Sequence, residues 1–433
     1  MDISQLYNIF KGSTGVSTDT RKIQKGNLFF ALKGPNFNAN FLVKQAIESG
    51  ASYCVIDEKE FFIPEKTILV KDVLQTLQQL ALHHRKNFLF PVIAITGSNG
   101  KTTTKELASA VLSTSFKTYS TPGNFNNHIG VPITLLSVPA ETQMLVIELG
   151  ANHLGENKFL CELSEPDYGI ITNNGKDHLE GYGGLEGVRK GNGEVYEYLK
   201  RKNAKAFVSS VQEDLMVNSQ TMNRIIYGAH KNSIVSAQII KSFPLLQVKL
   251  LFENNETAEV QTQLTGDYNL ENILAASAIG YYFKVSVSKI KFAIENYRPA
   301  NNRSQFLEKD GNNFILDAYN ANPSSMKLAL ENFSLLPLEN KIAVLGEMAE
   351  LGKYSLEEHQ LILDLCSSIE FKEIWLVGKE FSIAKTSSQL KNKEVKFFQD
   401  VEEAKKYFLK KKFTGYSFLF KGSRKNKLEQ MIL

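Results

Sequence analysis

The residues with the most evident chemical purpose lie in TGSNGKTTTKE, Thr96 to Glu106. Gly97 and Gly100 carry no side chain that would stop backbone N–H groups closing around phosphate oxygens. Ser98 and Asn99 complete the turn. A helix is predicted from Lys101, and its N-terminus adds a partial positive charge. Lys101 is spaced to reach the terminal phosphates of a nucleotide, and the Thr102 hydroxyl to ligate Mg²⁺, with Thr103 beside it. The first glycine of the strict Walker pattern would fall at Ile95, so this is the shorter GxxGKT form. An ordinary glycine turn would explain the glycines alone; the preceding strand, the following helix and the Lys-Thr pair favour nucleotide binding. Such a site also needs an acidic group at a strand end. Glu148, closing the run LVIE, suits Mg²⁺, which prefers hard oxygen donors. Capping the next turn is the competing role for Glu148.

These side chains need a sheet behind them. VIAIT feeds the turn, and LVIELG from Leu145 and GIITNN from Gly169 are further unbroken apolar runs. Their alternation with helices predicts a parallel sheet covered on both faces. Ala206 to Leu264 is richer in strand patterns and reads as an insertion or sheet extension. Before the motif, NLFFAL, YCVID and TILV are strand candidates around a helical stretch, NFLVKQAIESGA, and QTLQQLALHHRK is a helix ended by Pro91. After Arg298 the alternation returns, with FILDAY, KIAVLG, EIWLVG, VKFF and SFLFKGS as strands and SSMKLALENFSLL as a helix. The expected fold is α/β in three domains. Residues 1–86 form a small mixed α/β domain, 87–297 a central P-loop parallel-sheet domain, and 298–433 a Rossmann-like domain. The linker is placed at Tyr297 to Asn302.

A chain of 433 residues is too long for one core. Its formal net charge of +4 is too small and too dispersed for a nucleic-acid surface, and the run Lys410 to Lys412 reads as a solvated helix end. The N-terminal MDISQLYNIFKGSTG has no basic head followed by an apolar core, and no apolar stretch approaches the ~20 residues that span a bilayer. Cys54, Cys161 and Cys366 are odd in number and far apart, which fits neither a disulfide framework nor a metal knuckle. A reducing cytoplasm is the expected compartment.

Taken in order, STDTRKIQKGNLFFALKG, TGSNGKTTTKE, TPGNFNNHIGVPITLL, VIELGANHLGE, TNNGKDHLEG, GDYNLENILAA, LDAYNANPSSM, VLGEMAELG and LFKGSR resemble the Mur ligases of peptidoglycan synthesis over nearly the whole chain. LDAYNANP with GEMAELG resembles the branch that joins D-alanyl-D-alanine to UDP-N-acetylmuramoyl-tripeptide. The resemblance implies an ATP-dependent, ADP-forming carboxylate–amine ligase that works through an acyl-phosphate, uses Mg²⁺ and is monomeric. By the same resemblance, Lys101, His178 and Arg303 are catalytic, and Thr102, Glu148 and His178 hold metal. Asn269 and Asn272 lie near adenine, Asp317 meets the ribose, and Arg303 reaches the γ-phosphate. Asn124, Asn126, Asn127, Tyr319, Asn320 and Asn322 meet substrate, Thr18, Asp19 and Arg21 the uridine nucleotide, and Lys421, Ser423 and Arg424 the incoming amine. Competing roles are a helix cap for Asn269, a surface ion pair for Arg303, turn positions for Asn320 and Asn322 before Pro323, and a core position for Tyr319.

Two places depart from the family pattern. Asn38, Ala39 and Asn40 stand where an Asp-Gly-His-like element is common. Asn192 stands before Gly193-Glu194, where many members carry a carbamylated lysine that helps bind a second Mg²⁺. Lys190 is two positions earlier, about 200° around a helix, and replaces it only if the helical register slips. The expectation is a weaker second metal site with no need for carbamylation. A sister ligase adding a single amino acid, or glutamate to folate, and a nucleotide-binding scaffold without turnover are the competing functions.

Overall fold

The computed structural model describes residues 2–299, 302–385, 390 and 394–432. Three sheets follow one another along the chain. The first holds strands Val16–Ser17, Leu28–Phe30, Tyr53–Ile56 and Thr67–Leu69, side by side in that order and all parallel. A small hairpin, Lys33–Gly34 with Phe37–Asn38, stands beside it.

The central sheet runs in the order Asn223–Tyr227, Lys205–Ser209, Tyr168–Ile171, Val92–Thr96, Met144–Glu148, Thr118–Ser120, with every neighbour parallel. Val92–Thr96 is buried throughout. Its Ile93 and Ile95 enter the core shared with helices Lys101–Ser113 and Leu270–Tyr282, while Val92 and Ala94 enter the core shared with helices Val73–Arg85 and Leu185–Arg201. Two-sided burial is why VIAIT is apolar without alternation. Strand order reverses at Val92–Thr96, which opens a crevice at its carboxyl end. The glycine turn begins there.

The strand-rich stretch, expected as either an insertion or a sheet extension, divides between the two. Lys205–Ser209 and Asn223–Tyr227 extend the central sheet, whereas Val235–Lys241, Gln247–Phe252 and Thr257–Gln261 form a separate antiparallel sheet. In Gln247–Phe252 the residues Val248, Leu250 and Phe252 face the core and alternate with half-buried positions.

The third sheet has the order Gln305–Lys309, Asn312–Asp317, Ser417–Lys421, Lys341–Gly346, Glu373–Val377, Val395–Phe398; only the first pair is antiparallel. Helices Pro323–Leu335 and Ser355–Ser368 cover one face. Trp375 is buried on the other among Phe398, Tyr407, Phe413 and Phe418, and its indole N–H donates to Glu373 Oε2 at 2.7 Å. Gln305–Lys309 and Thr118–Ser120 are edge strands absent from the sequence reading; both are partly exposed and carry no apolar run.

All three cysteines are free and buried, and burial pushes the Cys54 thiol up to about 12. Among the described residues no helix is long and apolar enough to cross a membrane.

Helix Val73–Arg85 is fastened to the central layer by its last residue. Arg85 is buried; its Nε donates to the Ser164 carbonyl at 2.7 Å and its Nη2 to the Glu165 carbonyl at 2.5 Å. Arg85→Ala leaves both carbonyls without their donor. It is expected to lower stability by about 3 kcal/mol, read as a fall in the urea midpoint at unchanged slope.

Candidate functional site

Gly97 (φ 125°) and Gly100 (φ 82°) both lie in the left-handed region. A Cβ on Gly97 would sit 2.2 Å from Thr172 Oγ1, and one on Gly100 2.3 Å from Asn272 Oδ1. The turn is therefore wedged between two segments that come from far along the chain. The segment after strand Tyr168–Ile171 grips it: Thr172 Oγ1 donates to the Asn99 carbonyl (2.6 Å), the Ser98 N–H to the Asn173 carbonyl (2.9 Å) and the Asn99 N–H to Asn173 Oδ1 (3.1 Å). On the other side runs a relay of amides. Thr104 Oγ1 donates to Asn272 Oδ1 (3.0 Å), Asn272 Nδ2 to Asn269 Oδ1 (2.9 Å) and Asn269 Nδ2 to the Thr265 carbonyl (2.8 Å). Asn269 precedes helix Leu270–Tyr282, yet its side chain caps nothing.

The Lys101 ammonium is folded onto the carbonyls of Gly97 and Ser98, and Asp177 Oδ2 is 3.7 Å away. Glu148 is buried. Its Oε1 accepts from Thr102 Oγ1 (3.2 Å) and Asn126 Nδ2 (2.7 Å), and its Oε2 has no hydrogen-bond partner among the described residues. A buried carboxylate oxygen without a donor is costly unless something positive completes it. Lys105 Nζ, 3.9 Å from that oxygen and donating to the Thr121 carbonyl, supplies part of the balance. Lys105 was not singled out in the sequence; its signal was the second lysine of GKTTTK on the buried side of the helix. Thr102 and Glu148 thus present hard oxygens suited to a divalent cation.

Around the turn lies one cavity of about 900 Å³. Ser98 to Thr103, Asn124, Asn126, Asn127, Glu148, His178, Asn269 and Asn272 line it from the central region; Arg303, Asp317, Tyr319, Asn320, Asn322 and Lys421 line it from the third sheet and its loops. Asn127 does the work of a turn, its Oδ1 accepting from the N–H groups of Ile129 (3.1 Å) and Gly130 (2.8 Å). Asn322 has two roles. It caps helix Pro323–Leu335 through the Ser325 N–H (2.8 Å), and its Nδ2 donates to Asn99 Oδ1 (2.9 Å). Asp317 accepts from Lys421 Nζ at 2.7 Å, so that ammonium is committed within the protein. Arg303 is no surface ion pair: among the described residues no carboxylate lies within 4.0 Å, and its Nε is buried without a partner.

His178 adopts a left-handed backbone (φ 47°). Its Nδ1 is 2.7 Å from Glu350 Oε2 and its Nε2 3.6 Å from Asp177 Oδ2. Burial alone would lower the ring's pKa, but Glu350 and Asp177 outweigh it and the value is raised; Glu350 is lowered in return. This pairing favours imidazolium, and to ligate a metal the ring would give up that proton. Among the described residues no three His, Cys, Asp or Glu side chains converge as a metal cage.

Thr18, Asp19 and Arg21 lie outside this cavity, in the first sheet's loops. Asp19 caps the turn Thr20–Lys22 and pairs with Arg21 at 2.7 Å, which holds its carboxyl at about 2. Asn38 and Asn40 are absorbed by local structure: Asn38 Nδ2 donates to Glu58 Oε1 (2.9 Å) and buried Asn40 to Asp57 Oδ1 (2.9 Å). Ser423 and Arg424 do not line the cavity. Helix Leu185–Arg201 runs without a break, so the register slip that would bring Lys190 inward does not occur; Lys190 is exposed. Asn192 is buried, and its Nδ2 donates to Asn174 Oδ1 at 2.8 Å.

Residues 95–280 match the family described as the Mur ligase middle domain, and residues 302–424 the Mur ligase glutamate ligase domain. The UDP-N-acetylmuramoyl-tripeptide--D-alanyl-D-alanine ligase of Bacillus subtilis is 32% identical over 430 residues, 96% of this chain and 92% of that protein. The enzyme of the same name from Escherichia coli is 32% identical over 401 residues, 89% of this chain and 88% of its own. A crystal structure of MurF from Acinetobacter baumannii superposes with a TM-score of 0.87 at 30% identity, covering 99% of this chain and 97% of that one. The Thermotoga maritima MurF ligase in complex with ADP, at 24% identity, shares the fold with a TM-score of 0.85 over 98% of this chain and 97% of that one.

Two outcomes follow from the geometry. Gly100→Ala forces a side chain into a left-handed position and against Asn272; it is expected to weaken Mg·ATP binding by about ten-fold or more, measured by calorimetry. Glu271, in the cavity wall, is raised by burial against the lowering effect of its Ser209 hydrogen bond (2.5 Å). Its contribution to stability is therefore complete below the ordinary value of 4.5 and lost as pH rises through the raised one. Glu271→Gln is expected to flatten the decline in thermal stability as pH rises above about 4.5.

Proposed function

Because the chain belongs to the Mur ligase family, we propose that it joins D-alanyl-D-alanine to the terminal carboxylate of UDP-N-acetylmuramoyl-tripeptide, converting ATP to ADP and phosphate. The observation that carries this reading is a single cavity with a phosphate turn on one wall and the cation Arg303 on another. The names of relatives matched along nearly their full length supply the substrates.

A carboxylate is a poor electrophile, since its charge is delocalised and an oxide-like oxygen leaves badly. Passing the γ-phosphoryl group to it creates an acyl-phosphate, whose phosphate leaves readily when the dipeptide amine attacks. The obstacle is charge: two anions must meet. Lys101 leaves the carbonyls of Gly97 and Ser98 for the terminal phosphates, and Arg303 meets the transferring group. Thr102 and Glu148 would hold Mg²⁺, a fit supported by the donorless Glu148 Oε2. When bound, that ion would offset phosphate charge. Asn269 and Asn272 border the adenine, Asp317 the ribose, and Asn124 and Asn126 the acceptor. Contacts across the cleft, Asn322 to Asn99 (2.9 Å) and Lys176 to Glu358 (2.6 Å), keep it shut against water that would hydrolyse the acyl-phosphate. Residues 1–86, with Thr18, Asp19 and Arg21, take the uridine nucleotide, 87–297 ATP and 298–433 the amine. The enzyme acts in the cytoplasm as a monomer.

ADP release with UDP-N-acetylmuramoyl-tripeptide across a panel of amines tests this directly. Release is expected only with D-alanyl-D-alanine; release with another amine, or nucleotide binding without release, contradicts it. Lys101→Ala is expected to lower kcat about 100-fold or more. Because Asn192 offers a neutral amide already bonded to Asn174, turnover is expected to be indifferent to bicarbonate, and a marked loss on CO₂ depletion would overturn that point.

A further inference from the structure

Arg303 has an unusual environment for a cation that must be aimed. Its backbone is pinned, with left-handed residues on both sides (Asn302 φ 56°, Ser304 φ 48°) and the Ser304 hydroxyl 3.2 Å from the Tyr268 hydroxyl of the central region. Its side chain is not held in the same way. No hydrogen bond or ion pair fixes the guanidinium among the described residues, and its buried Nε has no acceptor. What it has is a ring: Arg303 Cζ lies 3.6 Å from the centroid of Tyr319, which lines the same cavity. A second guanidinium, that of exposed Arg424, lies 5.1 Å from the same centroid. A flexible arginine without fixed acceptors samples many rotamers, and ordering it during the reaction costs rate. Stacking on an aromatic face orders it beforehand and consumes none of its N–H donors.

We infer that Tyr319 is a positioning residue: its ring holds the Arg303 guanidinium ready for the transferring phosphoryl group and makes no contribution to binding the nucleotide itself. This rests on the proposed role of Arg303. Tyr319 sits two residues after Asp317 on the loop that ends strand Asn312–Asp317, so one strand end sets both. Because the ring acts through Arg303, its loss is felt in kcat and leaves the KM for ATP in place. A ring that touched substrate would shift KM.

The test compares Tyr319→Leu, Tyr319→Phe, Arg303→Ala and the double variant Tyr319→Leu/Arg303→Ala in the full-length enzyme, with kcat and both KM values measured. Tyr319→Leu is expected to lower kcat about ten-fold, the scale of a partly desolvated cation–π contact, with the KM for ATP within about two-fold. Tyr319→Phe keeps the ring and restores kcat to within about two-fold of the native rate. In the double variant Tyr319→Leu adds no further loss to that of Arg303→Ala. Tyr319 is only half buried, so truncation is compatible with folding; Tyr319→Met carries the same comparison if the leucine variant is poorly soluble. Additive losses, a raised KM at constant kcat, or a loss in Tyr319→Phe equal to that in Tyr319→Leu would overturn the inference while leaving Arg303 in its role. Full turnover in Arg303→Ala would overturn that role first, and the inference with it.

Discussion

Gly97 and Gly100 bend the chain through left-handed space where the order of the central strands reverses, and the cavity is organised about that bend. Thr172 and Asn173 hold the turn from one side and Asn272 blocks it on the other; Asn322 reaches Asn99 from beyond the third sheet. The glycines matter because neighbours crowd both sites where a Cβ would point. A phosphate group placed there meets backbone donors whose direction is set by three distant segments. Preorganisation of this kind needs little rearrangement when charge moves.

The second constraint is the low tolerance of a buried site for unbalanced charge. Lys101, Lys105, Glu148, Asp177, His178 and Glu350 form a nearly alternating set around the turn, with separations from 2.7 to 3.9 Å. Such pairs contribute little net stability, because desolvation offsets most of the attraction. Their value is placement. His178 and Glu350 join the central region to the third sheet through an ion pair, and Lys176 with Glu358 does the same. The cleft therefore closes on contacts that polar ligands can replace, rather than on an apolar seam alone.

Much of this was legible in the sequence, for physical reasons that differ from place to place. VIAIT could be read because two-sided burial demands an unbroken apolar run, and the glycine turn because few other purposes explain Gly, Lys and Thr at those spacings. Gln305–Lys309 could not, since an exposed edge strand imposes no pattern. The asparagines were the hardest. Asn126, Asn127, Asn192 and Asn322 differ in role only by which partner each amide meets, and those partners lie as far as 223 positions away. Lys190 illustrates the converse: helix geometry alone placed it outside, and a continuous helix keeps it there. The contact of Arg303 with Tyr319 joins two loops across a hairpin and has no signature in periodicity.

The central claim is that the phosphate turn delivers a phosphoryl group to an organic acid before the amide bond forms. Isotope transfer reads this step itself. With the terminal carboxylate of the acceptor labelled with ¹⁸O, one labelled oxygen is predicted to appear in the inorganic phosphate released during turnover. Unlabelled phosphate, formed while the amide bond is made, would contradict the account.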